Sequence, residues 1–434
     1  MADVSAGTRA DSDDTSVLRN SRFRRIWAAG FLTSMMRWLD LLVLGVFVFD
    51  MTDSAAKVAI VLLARMLPRF VFGVALGTLA DRVNRKILWV AALAMLSGTS
   101  LVLGVLITTG AISYAILIGV VFISGIFWAT EFPVRRAMIG DVVPHAAIGR
   151  AFGTDWTTDS FNRMIGPALG GALIVTVGAE GGYFLMSAAF GFAALVAMSL
   201  DYTPHVRDAV AQSPVQSVME GLRHVRRTRL LVAVMLVTVL FNLVFFPYQS
   251  MIPVIGKDIL GANPLRVGLL SSIEGFGALI GALWIANRAR PRIYPRLYYF
   301  GTAAFFTCAL AFSRSEVYAL SAALMFVAGF GFSAFATMQT TILVRSTSVA
   351  MRGRVLGVLS LAIGAGPVGA LQVAPLTSAV GNQTTLTILV VEGMVLLAVV
   401  GLALPVLRRS WLTTTETEAA DDDGREAEPA LESS

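Results

Sequence analysis

The fold class this sequence predicts is all-α and membrane-embedded, with twelve transmembrane helices in two pseudo-symmetric six-helix halves. Three observations predict it. Of 434 residues, 56% are hydrophobic and 14% charged, against about 25% charged in an ordinary soluble chain. Apolar runs of about 20 residues, enough to cross the hydrocarbon layer, recur along most of the length. Lys and Arg crowd into alternate gaps between those runs.

The first run, 26–49, follows a polar tail carrying Arg22, Arg24 and Arg25. It is too long for a signal-peptide core, and no small-residue cleavage site follows it. It therefore reads as a retained first helix. Eleven more runs follow at 56–80, 87–109, 111–131, 154–178, 181–200, 230–254, 265–287, 297–313, 317–341, 354–380 and 383–407. Most gaps are short. The long one, 201–229, holds Arg207, Arg223, Arg226, Arg227 and Arg229. It reads as a cytoplasmic linker between a first half, 22–200, and a second, 230–407. The polar ends, 1–21 and 408–434, have the composition of disordered tails. Residues 411–434 carry eight acids against one base, Arg425.

Orientation follows from the basic residues. With the N-terminus cytoplasmic, 26 Lys and Arg fall in cytoplasmic tails and loops. Four fall outside (Lys57, Lys257, Arg266, Arg314) and four within spans (Arg37, Arg65, Arg69, Arg163). Both termini are then cytoplasmic. The net charge of +6 reflects this topology and calls for no nucleic-acid partner. The lone Cys308 excludes an intrachain disulfide and a thiol metal site. His145, His205 and His224 are dispersed in loop-like segments, so no metal site is predicted. "GAGPVG" at 364–369 lies mid-span with Pro367 inside it, which is no setting for a dinucleotide fingerprint. No Walker loop, zinc spacing or nucleophile elbow is found. The sequence thus predicts neither an enzyme nor an ATP-driven pump, and no cofactor.

A shift of 204 residues brings Gly73 onto Gly277, Gly77 onto Gly281, Arg150 onto Arg354 and Gly153 onto Gly357. "GPALGG" from Gly166 has a counterpart in "GPVGA" from Gly366. Two six-helix halves related in parallel form the layout of alternating-access transporters, with the site between halves near the midplane.

The gap between the second and third helices reads "GTLADRVNRK", residues 77–86. It resembles the signature G-x-L-A-D-R-x-G-R-K of the major facilitator superfamily. Gly77, Leu79, Ala80, Asp81, Arg82, Arg85 and Lys86 match. Asn84 replaces a Gly, and Asn tolerates a left-handed backbone better than other residues with a side chain. In the fifth helix Gly153, Asn162, Gly166, Pro167, Gly170 and Gly171 follow the superfamily's antiporter signature G-x8-G-x3-G-P-x2-G-G, with Asn162 in place of a Gly. Such small residues also serve plain helix packing. Longer phrases over residues 22–407, "ARMLPRFVFGVALGTLADR" and "RGRVLGVLSLA" among them, resemble the branch holding macrolide exporters and the enterobactin exporter. The resemblance implies the major facilitator fold, and efflux rather than uptake. It also implies that the 77–86 loop latches the cytoplasmic ends of the halves. Asp81 would meet the N-terminal end of the eleventh helix near Arg354, and Arg82 would meet Glu131 or Asp141. One departure stands out. Drug–proton antiporters of the superfamily often carry an Arg in the middle of helix 4. Here "GVVFISGIFWATEF" has none, and Arg135 and Arg136 fall after the predicted helix end.

Ionisable side chains at membrane depth face a partner or a wet cavity, because exposure to lipid costs at least about 2.5–3.5 kcal/mol each. Arg37 and Asp40 share a face of the first helix at i,i+3 spacing. Arg65 and Arg69 flank Pro68 in the second. Asp155, Asp159 and Arg163 follow at i,i+4 steps in the fifth, Glu274 sits in the eighth and Glu392 in the twelfth. One reading is a network of Arg–carboxylate pairs. The other is a cavity with surplus positive charge, suited to an amphipathic substrate with anionic or phenolate oxygens. Asp40, Glu274 and Asp159 are the proton-coupling candidates. Arg37, Arg65, Arg69, Arg163, Asn242, Phe245, Gln249, Phe335 and Gln339 are the substrate-cavity candidates, drawn partly from a Phe-rich second half. The expected function is proton-coupled efflux of a small amphipathic compound by a monomer in a bacterial inner membrane. An uncoupled facilitator or importer of the same fold, and a non-transporting sensor, are the alternatives.

Overall fold

In the computed structural model, the described residues are 17–144, 147–202 and 214–408, with side chains described for all of these except 70, 73–82, 214–215 and 349–350. Most of the 201–229 linker's first half and nearly all of both tails lie outside this set.

Fourteen α-helices and no strand occur among the described residues. They are α1 (Ser21–Thr52), α2 (Ala55–Arg82), α3 (Arg85–Thr108), α4 (Tyr114–Val142), α5 (Ile148–Met198), α6 (Pro214–Arg227) and α7 (Arg229–Asp258). Then come α8 (Pro264–Arg288), α9 (Tyr294–Ser313), α10 (Tyr318–Arg345), α11 (Val349–Ile363), α12 (Gly366–Leu371), α13 (Val373–Val380) and α14 (Asn382–Ala403). Nine stretches of the described residues are long and apolar enough to cross a membrane, the α11–α13 stretch from Met351 to Val380 counting as one. The 20-residue α9 is not among them, and neither is α2, whose side chains at 70 and 73–82 lie outside the described set.

Local chemistry explains the ends. Ser113 and Asn263 cap α4 and α8, their side chains accepting from the amides of Ile116 and Arg266. Asn84 likewise caps α3 by accepting from Lys86 N–H, at φ −55°. It is therefore not the left-handed residue that a Gly replacement suggests. The run expected at 354–380 is instead three helices. Gly364 and Gly366 loosen it, and Pro367 withholds an N–H. The linker contains a helix of its own, α6, which packs on α11. The Glu220 carboxylate there meets Arg354 at 2.8 Å.

The longest helix, α5, has 51 residues and would measure about 76 Å if straight, far more than a bilayer needs. It is broken at Gly178, where φ is 73° and ψ 174°. Gly381, at the start of α14, has nearly the same backbone, φ 79° and ψ 170°. These two positions lie about as far apart as the shift that aligns Gly73 with Gly277.

The chain packs as two compact units. The first comprises described residues up to Asp40, then Arg65–Asn162 and from Ala179 to Tyr202. Its interior holds Trp89, Tyr183 and Phe190, the last edge-on to Trp128 at 5.6 Å. The second comprises Leu41–Ala64, Arg163–Gly178 and the described residues from Pro214 onward. Its interior centres on Phe241, whose ring lies 3.8 Å from Phe335 and 4.9 Å from Phe305.

Replacing Gly178 or Gly381 by Ala puts a Cβ on a backbone nearly reserved for Gly, a cost of about 1–3 kcal/mol. Each variant is expected to unfold at a lower temperature in detergent. Gly98→Ala, mid-helix in α3 with open space around it, is expected to hold or raise the midpoint.

Candidate coupling and substrate site

In the first unit, α1, α2 and α5 bring the predicted charges together, but not in the pairs that spacing suggests. Arg37 and Asp40 do not bond each other. Asp40 meets Arg65 across to α2 at 2.5 Å. Arg37 reaches across to Asp159 of α5 instead. Asp159 also accepts from Ser34 at 2.5 Å and from the Trp38 indole at 3.4 Å. Arg65 is held from behind, because a Cβ at Gly125 of α4 would strike its carbonyl oxygen. Its guanidinium lies 5.3 Å from the Trp128 ring. The buried Tyr183 hydroxyl adjoins Asp40.

The end of α4 departs from expectation. The helix continues past 131 to Val142, so Arg135 and Arg136 lie inside it. Arg135 is 3% exposed and Glu131 2%. Arg135 pairs with Glu131 at 3.2 Å and with Asp155. Arg136 donates to the other Asp155 oxygen at 3.2 Å. Glu131 further accepts from Thr33 at 3.2 Å and the Trp89 indole at 3.4 Å. These carboxylates make it possible for a charged stretch to stay helical and buried. Arg69 differs from the rest: among the described residues it meets no carboxylate, and its side chain is exposed.

Of the loop signature, Arg85 meets Asp141 at 2.7 Å, and Lys86 donates to the Leu200 carbonyl at 2.6 Å. Tyr202, just beyond α5, also donates to Asp141, at 2.6 Å. Burial, then that hydrogen bond, push its phenol up to about 12, so it stays a donor at cellular pH. The side chains of Gly77, Asp81 and Arg82 lie outside the described residues. Asp141 is thus engaged by Arg85 and Tyr202, and Glu131 by Arg135.

In the second unit, Arg163 donates to Glu274 of α8 at 2.6 Å. Glu274 is 2% exposed, and the buried Tyr248 hydroxyl adjoins it. The Phe332 ring lies 3.8 Å from the Arg163 guanidinium and Phe245 5.9 Å away. The fifth-helix motif explains how α5 reaches α8. A Cβ at Gly171 would strike the Pro264 carbonyl, one at Gly268 the Pro167 carbonyl, and one at Gly275 the Arg163 carbonyl at 2.8 Å. The Ala168 amide, in the turn of Pro167, donates to Ser272 at 2.9 Å. Gly166 and Gly170 are buried, while Gly153 has open space around it. Further along the same side, Lys257 of α7 pairs with Asp50 of α1. Leu42 and Val46 pack with Ala262 and Val267.

The remaining cavity candidates are drawn into the interior. Gln339 donates to Thr238 at 2.7 Å, Asn242 to the Thr238 carbonyl at 2.8 Å, and Phe335 stacks on Phe241. Gln249 is half-buried. Arg135, Arg136, Tyr183 and Tyr248 were not anticipated. The i,i+4 spacing of Glu131 and Arg135 was a signal for the first. A tyrosine in an apolar run carries none.

The family model for the transmembrane secretion effector matches residues 13–405. The chain belongs to that family. It is 29% identical over 380 residues to the multidrug efflux pump Tap of Mycobacterium tuberculosis, covering 83% of this chain and 88% of that one. It is 23% identical over 265 residues to macrolide efflux protein A of Streptococcus pyogenes, covering 60% of this chain and 65% of that one. The match thus spans a little under two thirds of that protein's length. A bacterial homologue of the human lysosomal transporter Spinster, solved inward-facing and unoccupied, superposes with a TM-score of 0.71 at 15% identity, covering 92% of this chain and 98% of that one. The nucleoside transporter NupG, in its D323A form, gives 0.67 at 15%, covering 88% and 99%. The fold is therefore that of a major facilitator transporter in a membrane, and its relatives are transporters rather than enzymes.

Gly275→Ala is expected to push α8 from the Arg163 turn, costing about 1–3 kcal/mol as overpacking does. The check is a lower unfolding midpoint together with slower transport. An unchanged midpoint would mean that the close approach contributes nothing.

Proposed function

We propose that the chain is a secondary active exporter that couples outward movement of a small amphipathic compound to inward movement of protons. The observation that carries this reading is a set of three Arg–carboxylate pairs at membrane depth, Asp40–Arg65, Asp159–Arg37 and Glu274–Arg163. Each joins two helices, so each is made or lost when those helices move.

The topology proposed is twelve crossings in two halves, 22–200 and 230–407, with both termini cytoplasmic in a bacterial inner membrane. Gly178 separates the fifth and sixth crossings, and α2 and α9, which match the apolar runs 56–80 and 297–313, supply two more. In that orientation, the Lys257–Asp50 pair and the glycine contacts of α5 on α8 lie toward the outside. They support a state whose outer side is closed.

The coupling step follows from electrostatics. Beside Arg163, Glu274 is favoured as the carboxylate. With α8 drawn away from α5, the same group in an apolar setting is favoured protonated. A proton taken up with the outer side open is released when the pair re-forms. Asp40 with Arg65, and Asp159 with Arg37, follow the same logic. Arg37 and Arg69 of the first unit are the proposed substrate contacts there, and Arg163 and Phe245 those of the second. The 77–86 loop, held through Arg85 and Asp141, is the proposed cytoplasmic latch.

Asp40→Asn and Glu274→Gln are expected to cut pH-gradient-driven efflux in everted vesicles by about tenfold or more, equivalent to about 1.4 kcal/mol or more of lost driving interaction. Substrate counterflow without a gradient should persist. Gradient-driven efflux intact in both variants would rule out these carboxylates. Wild-type flux with no accompanying proton movement would favour a facilitator or importer.

A further inference from the structure

Five arginines of the first unit cluster near Phe132 and Trp128: Arg37, Arg65, Arg69, Arg135 and Arg136. Four of them face a carboxylate, namely Asp159, Asp40, and for the last two Asp155. Arg69 has none among the described residues and is exposed. Its guanidinium lies 5.8 Å from the centre of the Phe132 ring. The Arg136 guanidinium lies 4.1 Å from the same ring and 4.3 Å from that of Trp156. Arg136 spends its Nε on Asp155, yet its buried Nη2 has no hydrogen-bond partner among the described residues. Trp156 is 53% exposed.

A buried N–H without an acceptor is costly, and so is an unpaired guanidinium at this depth. Here both occur on guanidinium groups 5.8 and 4.1 Å from the centre of one aromatic ring, Phe132. A group with two or three charged oxygens would satisfy both at once, since guanidinium forks match carboxylate, sulfonate and phosphate geometry. Its apolar body would lie against Phe132 and the open face of Trp156. A cationic amine would meet Arg37, Arg69 and Arg136, with the nearby carboxylates already engaged.

We propose that Arg69 and Arg136 form an anion subsite for the carboxylate, sulfonate or phosphate of an amphipathic organic anion, with Phe132 and Trp156 supporting its apolar part. This rests on the transporter reading above and names its substrate class.

The test is equilibrium binding to the full chain in phosphatidylcholine nanodiscs. Two probes share one ring system: 8-anilinonaphthalene-1-sulfonate and the uncharged N-phenyl-1-naphthylamine. Wild type is expected to prefer the sulfonate. In Arg69→Gln the anionic-to-neutral affinity ratio falls about tenfold or more, as loss of a charge-assisted contact implies. Arg69→Lys, which keeps the charge without the fork, falls in between. Arg69→Gln orphans no carboxylate among the described residues, so it is expected to fold as the wild type does. A wild type without sulfonate preference, or an unchanged ratio in Arg69→Gln, overturns the subsite. Loss of the preference in phosphatidylglycerol nanodiscs assigns the subsite to a lipid headgroup and overturns the substrate class. Proteoliposome flux separates the two readings. Arg69-dependent binding without flux sinks the transporter and keeps the subsite, whereas flux indifferent to Arg69 does the reverse.

Discussion

A guanidinium in the interior of a membrane protein has few tolerable environments, and most of this chain's architecture follows from supplying them. Arg135 and Glu274 are almost wholly enclosed. Taking such charges from water costs several kcal/mol each before their attraction is counted. Each is therefore placed where a second helix brings the opposite charge. The helices α1, α2, α4 and α5 are bound to one another by these pairs as much as by apolar packing. Among them, Asp155 and Asp159 of α5 serve guanidinium groups from α4 and α1. Packing between apolar helices gains little in lipid, where the tails are as apolar as leucine. Paired charge and close backbone contact are what remain to specify which helix meets which.

The second device is the glycine seam between α5 and α8. Gly171, Gly268 and Gly275 each face a carbonyl or Cα of the other helix, so the backbones approach more closely than side chains would permit. That approach sets the reach of Arg163. A long side chain leaving α5 meets Glu274 only because Gly275, its neighbour, lets the helices touch. The antiporter-like motif thus has a direct mechanical reading here. It positions an ion pair as well as packing a helix, and the two functions are inseparable at this contact.

Most of the fold was legible in the sequence. The apolar runs located the helices, and the break in α5 falls at Gly178, beside the gap between the runs 154–178 and 181–200. What composition could not show was partnership. Arg135 and Arg136 read as a helix end because charge was counted without the carboxylates that neutralise it. Their helix continues because Glu131 lies one turn earlier and Asp155 comes from another element. The same blindness affected Arg37 and Asp40, which share a helix face yet take partners elsewhere. Asn242, Phe335 and Gln339 looked like pocket residues among phenylalanines. They are spent on Thr238 and Phe241 inside the second unit. A hydroxyl such as that of Thr238, with acceptor capacity for a neighbouring helix, leaves no trace in hydropathy.

The two buried tyrosines suggest how a charged pair at this depth is opened at all. Removing one partner of a buried pair leaves an uncompensated charge, which costs about 3–5 kcal/mol. Tyr183 stands beside Asp40 and Tyr248 beside Glu274. Neither hydroxyl has a hydrogen-bond partner among the described residues. A neutral donor this near could take up the carboxyl group in either protonation state as the guanidinium moves off, since a phenol both donates and accepts. Among the described residues the same grouping of arginine, carboxyl and phenol is found in each unit, built from different helices and with Asp in one and Glu in the other. Sequence descent does not require that recurrence, because Tyr183 and Tyr248 are not repeat-related. On the proposed coupling mechanism, a shared physical requirement does: a carboxyl group that must exchange its ion-pair partner without being stranded.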